Sequence, residues 1–421
     1  MDNARLPGLA DREPATTSGI GRFRLAGRSA DFHDSPWSVP ANLIGRHPAP
    51  ISLSSGAPSE DLVPVARLAE AASRVWGDAN AWGYAGAAGH DPLREWLAGW
   101  LRERSVVATP DEVVLTTGSQ QAIDLVARVF VDPGDTVVVE GPTYIGALQV
   151  FDSFGATYLI APMDEHGLDT DALEAMLADR AAQSLPAPRL LYSVPTFQNP
   201  TGRLMSDQRR DALVRLARRH GIVIVEDDPY GELYFDEAPP RSLRARDADV
   251  ISLGTFSKTL APALRMGWMV VPPDLAPLMV NAREVNDVHG DLMSQRIIAA
   301  AVDGFLDDHV AWLRSQYRRR RDHLLAALTT GLPPGVLVER PGGGFFLWLD
   351  LPSEVDATDL MADAADNGVL FLPGGWFYPD RRPDPGLRLS FSRVAEDLLD
   401  EAARRLTTTI AARLAVGAAD R

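Results

Sequence analysis

Short runs of β-branched and aliphatic residues alternate with helical segments through the middle of this 421-residue chain, and that alternation constrains its fold most strongly. EVVLT (112–116), DTVVVE (135–140), RLLYSV (189–194), GIVIVED (221–227), DVISLG (249–254) and GWMVV (267–271) read as buried strands. From about Ser119, the residues Ala122, Leu125, Val126 and Val129 recur at i, i+3, i+4 and i+7, the spacing of a helix face. A helix is expected to begin near Tyr144, and the segment from Ser206 to His220 carries Leu213, Leu216 and Ala217 on one stripe. Continuous apolar strands separated by helices predict an α/β fold with a parallel or mixed sheet covered on both faces.

The flanks differ in kind. Residues 1 to about 50 are irregular and rich in Pro, Gly, Ser and Arg, an arm rather than a layer. Val65 to Trp76 has helical spacing, and GDANAWGYAGAAGHD is a long Gly/Ala loop. Asp91 and Pro92 suit the N-cap and first position of a helix reaching about Arg104. A long helical region runs from about Leu275 to Thr330. The strand-rich remainder (GVLVER, GGGFFLWLDL, GVLFLPG, LRLSFS) reads as a second, smaller α+β domain.

Composition removes several functions. Lys and Arg total 41 against 57 Asp and Glu, a formal charge of −16, which disfavours general nucleic-acid binding. The basic run Arg318 to Arg321 sits in a helical pattern and is expected to form a solvated face. The absence of cysteine excludes disulfides, zinc-thiolate sites, iron–sulfur clusters and thiol catalysis, and fits a cytoplasmic setting. No metal site is expected. Neither a membrane-spanning apolar stretch nor a secretory signal is expected.

Five segments carry chemistry. In LGTFSKTLAPALRMGW (253–268), Lys258 lies in an apolar, hydroxyl-rich stretch of a chain where lysine is scarce relative to arginine. A desolvated lysine amine can lose its proton and form a Schiff base, which arginine cannot. Thr255, Ser257 and Arg265 could hold a phosphate beside it; the plain alternative is a surface-loop lysine. In VEDDPYGELYF (225–235) a strand runs into acidic residues at its carboxyl end, where open α/β sheets bind ligands. A carboxylate there could pair with a protonated ring nitrogen, or could simply be a solvated turn. In SVPTFQNPTG (193–202), Asn199 is held rigidly before Pro200, unless this is an ordinary Asn-Pro turn. In LTTGSQQAID (115–124) a helix start offers free N–H groups to a phosphate, or is only a capped helix. In GLRLSFS (386–392), Arg388 in an apolar strand could clamp a carboxylate or form an internal ion pair.

In this order and spacing, the five resemble the fold-type-I pyridoxal-phosphate aminotransferases of classes I and II. The likeness spans about residues 50 to 415 and is nearest the branch of 2-aminoadipate and kynurenine aminotransferases. It implies an aspartate-aminotransferase-like architecture: a large domain with a mostly parallel seven-stranded sheet, plus the smaller C-terminal domain. The expected divisions are an arm (1–60) packing on the small domain or a partner, a cofactor domain (61–295) and the small domain (296–421).

The resemblance also assigns roles. Lys258 would hold pyridoxal 5'-phosphate as a Schiff base and shuttle the α-proton. Asp227, three residues before Tyr230, would keep the ring nitrogen protonated. Asn199 and Tyr230 would bond the phenolic oxygen, and Tyr144 would stack on the ring. Gly118, Ser119 and Gln120 would cradle the phosphate, completed by Thr255, Ser257 and Arg265. Arg388 would bind the substrate α-carboxylate, with Asn199 and Gly56 lining the substrate. Tyr84 would reach the phosphate of a neighbouring subunit, which implies a homodimer.

Two features depart from that pattern. Gly342 stands where these enzymes usually carry Glu before paired glycines, and DFHDSPWSVPANL in the arm does not match the expected gating helix. Both bear on substrate rather than cofactor. Trp82 and Tyr84 would suit an apolar or aromatic side chain. The expected reaction is amino transfer between an L-amino acid and a 2-oxo acid; the alternative is elimination, substitution or cyclisation at the side chain with the same cofactor. A cofactor-binding regulatory module is a third reading, disfavoured because no DNA-binding segment is recognisable and the catalytic set is complete.

Overall fold

A computed structural model describes residues 25–32, 43, 46–353 and 355–419. The arm segment with the unmatched gating pattern falls almost wholly outside them. The strands are β1 (Ile51–Ser52), β2 (Val113–Thr116), β3 (Thr136–Gly141), β4 (Thr157–Asp164), β5 (Gly167–Leu168), β6 (Leu190–Ser193), β7 (Val223–Asp227), β8 (Ile251–Thr255), β9 (Gly267–Val270), β10 (Leu337–Val338), β11 (Phe346–Asp350), β12 (Val369–Leu370), β13 (Leu372–Pro373) and β14 (Gly386–Ser390). The helices are α1 (Val65–Trp76), α2 (Asp91–Glu103), α3 (Gly118–Phe130), α4 (Ile145–Ser153), α5 (Thr170–Ala182), α6 (Asp207–His220), α7 (Ala276–Asp287), α8 (Leu292–Val302), α9 (Leu306–Gly331), α10 (Ala357–Asp366) and α11 (Glu396–Ala419).

The main sheet has eight strands in the order β2-β9-β8-β7-β6-β3-β4-β5. Six are those read from the sequence; β4 brings the count to the seven that the resemblance implies, and the eighth, β5, is a two-residue strand folded back antiparallel on β4. The central pairs β8–β7, β7–β6, β6–β3 and β3–β4 are parallel, and β9 runs antiparallel between β2 and β8. Fully buried runs such as Val137, Val138 and Val139 pack against both helix layers, as a doubly covered sheet requires. Strand β4 escapes the apolar-run criterion because most of its residues are half-exposed. A second, antiparallel sheet, β10-β11-β14-β13, lies with α10 and α11.

Local chemistry sets several boundaries. Ser206 caps α6 by accepting from Arg209 N, and Gly221 ends it in the left-handed conformation. At α2 the cap position belongs to His90 and Asp91 is the first helical residue, so the helix begins one residue earlier than expected. The long helical region after Leu275 consists of three helices, α7, α8 and α9.

The arginine run in α9 meets the expectation of a solvated face at Arg318 and Arg319, which are exposed, and overturns it at the next two positions. Arg320 and Arg321 are only 6% and 0% exposed. Arg321 donates to Asp236 Oδ2 at 2.7 Å and Pro341 O at 2.8 Å. Arg320 donates to Ser392 O at 2.6 Å and Asp61 Oδ2 at 2.9 Å. Both lie on the buried stripe that also carries Leu313, Tyr317, Leu324 and Leu328, and their guanidiniums are stabilised by acceptors from distant segments.

Candidate active site

Topology gathers the chemistry-bearing residues on one edge of the main sheet. Gly118 follows β2, Tyr144 follows β3, Asn199 follows β6, Asp227 ends β7 and Lys258 follows β8. Arg388 arrives from β14 of the second sheet, and Gly56 from the chain after β1. Together with Ser119, Gln120, Tyr230, Thr255, Ser257 and Arg265 they line one cavity of about 860 Å³. That volume is in the range of small-molecule and cofactor sites.

Asp227 is 3% exposed. Its Oδ2 accepts from Tyr192 Oη at 2.7 Å, while its buried Oδ1 has no hydrogen-bond partner among the described residues. Burial pushes the carboxyl up to about 6, offset by the Tyr192 hydrogen bond and the nearby Lys258 charge. A buried, half-satisfied carboxylate facing a cavity is built to receive a cationic N–H donor.

Lys258 is the chain's sole lysine, a signal that full counting of the sequence makes available. Its Nζ donates to Gly56 O at 3.0 Å. Burial, then the Arg388 charge, lowers its amine to about 8, with Asp227 acting in the opposite sense. The amine is still mainly protonated at pH 7 but gives up its proton far more easily than an ordinary lysine, which suits a nucleophile or base.

The start of α3 forms a cradle. Helix-initial N–H groups lack intrahelical acceptors and favour anions. Gly118 has φ +74°, and a Cβ built on it would stand 2.8 Å from Arg265 Nη2. Glycine is thus required where Arg265 crosses the helix start. Arg265 is itself left-handed, at φ +47°. Thr255 Oγ1 lies 3.0 Å from Ser257 Oγ and accepts from Ser257 N at 3.0 Å. The Gln120 side chain is committed elsewhere: it donates to Gly146 O at 2.7 Å and accepts from Tyr144 Oη at 3.2 Å. Its contribution to an anion is through its backbone. Burial raises the Tyr144 phenol to about 12 and raises Tyr230 further, so both stay protonated donors.

Arg388 is fully buried and lies 4.3 Å from the centre of the Phe346 ring. It donates to Asn199 Oδ1 at 2.9 Å and to Ser54 O. Burial lowers it to about 10, and it remains a cation at neutral pH. A Cβ on Gly56 would press within 2.9 Å of the same Phe346 ring.

Some positions fall elsewhere. Tyr84 is 91% exposed and packs edge-on against His289, outside the cavity lining, and Trp82 is also exposed. Neither therefore forms the apolar wall suggested for the substrate within this chain, because the Gly/Ala loop carries them outward. Gly342 is not a cavity wall either; its carbonyl accepts from Phe235 N at 2.8 Å. Two supporting residues were missed. Tyr192 secures Asp227, and buried Glu140 accepts from Ser193 Oγ (2.5 Å), Val194 N (3.2 Å) and Gln198 Nε2 (3.0 Å), bracing the loop that presents Asn199. Their only sequence signal is a polar residue inside an apolar strand run.

One cavity at the carboxyl edge of the main sheet thus holds the sole lysine, a half-satisfied buried carboxylate, a helix start crossed by Arg265 and, from the second sheet, the buried Arg388, a set of groups suited to a small anionic ligand. The comparisons agree. The sequence matches the family of aminotransferase class I and II over residues 48–406. It is 38% identical over 366 residues to aromatic-amino-acid aminotransferase 1 of Thermococcus litoralis, covering 86% of this chain and 88% of that one. It is 37% identical over 380 residues to 2-aminoadipate transaminase of Thermus thermophilus, covering 89% and 93%. Among solved structures, kynurenine aminotransferase of Pyrococcus horikoshii superposes with a TM-score of 0.89 at 36% identity, covering 94% and 98%. The chain belongs to the class I and II aminotransferases: it transfers amino groups, and its cofactor is pyridoxal 5'-phosphate.

Proposed function

We propose that this chain transfers the amino group of an L-amino acid to a 2-oxo acid with Lys258 as the cofactor-bearing base, in the manner of the 2-aminoadipate, kynurenine and aromatic aminotransferases it resembles. The observation that carries the assignment is the buried Asp227 Oδ1, left without a partner among the described residues in the same cavity as the sole lysine and Arg388. When bound, pyridoxal phosphate supplies the electron sink that acidifies the substrate α-carbon.

The protein's own groups do the rest. Asp227 would accept the ring N–H and keep that nitrogen charged, Tyr230 and Asn199 would donate to the phenolic oxygen, and Tyr144 would lie beside the ring. The α3 start at Gly118, Ser119 and Gln120, with Thr255, Ser257 and Arg265, receives the phosphate. Arg388 holds the substrate carboxylate, with Asn199 and Gly56 beside it, so that the α-hydrogen faces Lys258 Nζ. Lys258 Nζ, once free as an amine, would take that proton and carry it across the transferred nitrogen.

We infer a homodimer acting in the cytoplasm. Tyr84 stands clear of its own cavity, and Val285, four residues before its ring partner His289, is 83% exposed; apolar surface of this kind suits contact with a second copy. The test is direct. Borohydride reduction of the holoenzyme should add one cofactor mass to the peptide containing Lys258 and to none other. Mixing with a panel of amino acids should give stoichiometric 2-oxo acid and the amino form of the cofactor. A product that keeps its nitrogen or loses its side-chain group would overturn amino transfer, and a label elsewhere would overturn Lys258.

A further inference from the structure

The cavity carries more positive charge than amino transfer uses. Its described lining contains one carboxylate, Asp227, and four cations, Lys258, Arg265, Arg388 and Arg393. In the proposed function Asp227 meets the ring nitrogen, Lys258 the cofactor carbon, Arg265 the phosphate and Arg388 the α-carboxylate. Arg393 has no part in that scheme.

Its position is nevertheless well determined. Arg393 lies between β14 and α11, five residues beyond Arg388, so the two Cα atoms are at most about 17 Å apart. Both side chains line the same cavity. Arg393 pairs with Glu60, which is not part of the lining. One buried side chain, Arg320, ties down both partners: it binds Ser392 O at 2.6 Å, beside Arg393, and Asp61 Oδ2 at 2.9 Å, beside Glu60. Ser392 Oγ also donates to Ala57 O at 2.6 Å. The Glu60 pair itself is weak, since Arg393 is 49% and Glu60 81% exposed and such pairs are strongly screened. Val394, Ala395 and Leu398, which follow Arg393 in the chain, supply an apolar part of the lining.

We propose that Arg393 is a specificity-determining residue: it receives a carboxylate at the far end of the substrate side chain, beyond the apolar wall. The favoured substrates are then amino acids, and their 2-oxo acids, whose side chain is a short hydrocarbon ending in a carboxylate. Such a group replaces Glu60 as the partner of Arg393 and gains a bidentate bond in a less screened place. This inference rests on the amino-transfer reading of the same cavity.

The test compares L-2-aminoadipate with L-norleucine, which share a six-carbon chain and differ at its end, using the holoenzyme in single-turnover half-reactions. Arg393→Gln should lower the diacid-to-norleucine ratio of kcat/KM at least tenfold, mainly through KM of the diacid. Arg393→Lys should lower it less, and Glu60→Gln, which frees Arg393, should raise it. A ratio unchanged in Arg393→Gln, or an equal fall for both substrates, overturns the proposal. So does a wild-type enzyme that accepts other amino acids but not the diacid. Failure with every amino acid would instead overturn the amino-transfer reading itself.

Discussion

Replacing Asp227 with Asn tests the electrostatics of the site without relying on turnover. In the cofactor-free protein, burial holds this carboxyl at about 6 against an ordinary 3.8. That displacement corresponds to about 3 kcal/mol against the ionised form. Because the folded value is raised, the associated stability is fully present below about pH 4 and is lost as pH rises through about 6. The amide of the Asp227→Asn variant cannot titrate. The stability difference between the variant and wild type should therefore shift by about 3 kcal/mol in favour of the variant between about pH 3.5 and 7.5. Any constant offset, for example from the new amide facing the cavity, does not alter that shift. Urea unfolding of both cofactor-free proteins across this range measures it. With cofactor the order reverses: the ring N–H bonded to a carboxylate is charge-assisted, and losing it should weaken binding about 10- to 100-fold at about pH 7.5. Parallel pH curves for the two cofactor-free proteins would refute the assignment of a desolvated carboxylate.

Three further outcomes follow from the geometry. Lys258→Ala removes the chain's one lysine and should abolish both the yellow protein-bound cofactor absorbance and multiple turnover; retained turnover would place the base elsewhere. Gly118→Ala puts a Cβ at φ +74° against Arg265, and an added cost of about 1–2 kcal/mol should weaken cofactor binding roughly 5- to 30-fold in equilibrium dialysis, with little change if the phosphate sits elsewhere. Arg388→Leu should lower kcat/KM for every amino acid by at least about 30-fold while the protein still binds cofactor, and an effect confined to acidic substrates would show that Arg388 reads a side chain instead.

Much of the fold was legible along the chain. Apolar strands and helical stripes are local, repeating patterns, and a parallel sheet brings the carboxyl ends of its strands to one edge. The segments holding Gly118, Asn199, Asp227 and Lys258 could therefore be recognised singly and assembled by topology. The sole lysine needed only counting. What tertiary structure alone decided was the partner of each buried polar group. Tyr192 meets Asp227, and Glu140 braces the Asn199 loop, across neighbouring strands whose pairing the sequence does not state. Arg320 and Arg321 are inside because Asp61 and Asp236 come to them from 259 and 85 residues away. Tyr84 faces outward because a loop without regular hydrogen bonding takes its direction from what packs beneath it. The pairing of Arg393 with Glu60 spans 333 residues, and no local periodicity encodes a contact of that kind. Burial of charge depends on long-range neighbours, whereas the strand–helix rhythm depends on the chain's own hydrogen bonds and the spacing of its apolar side chains.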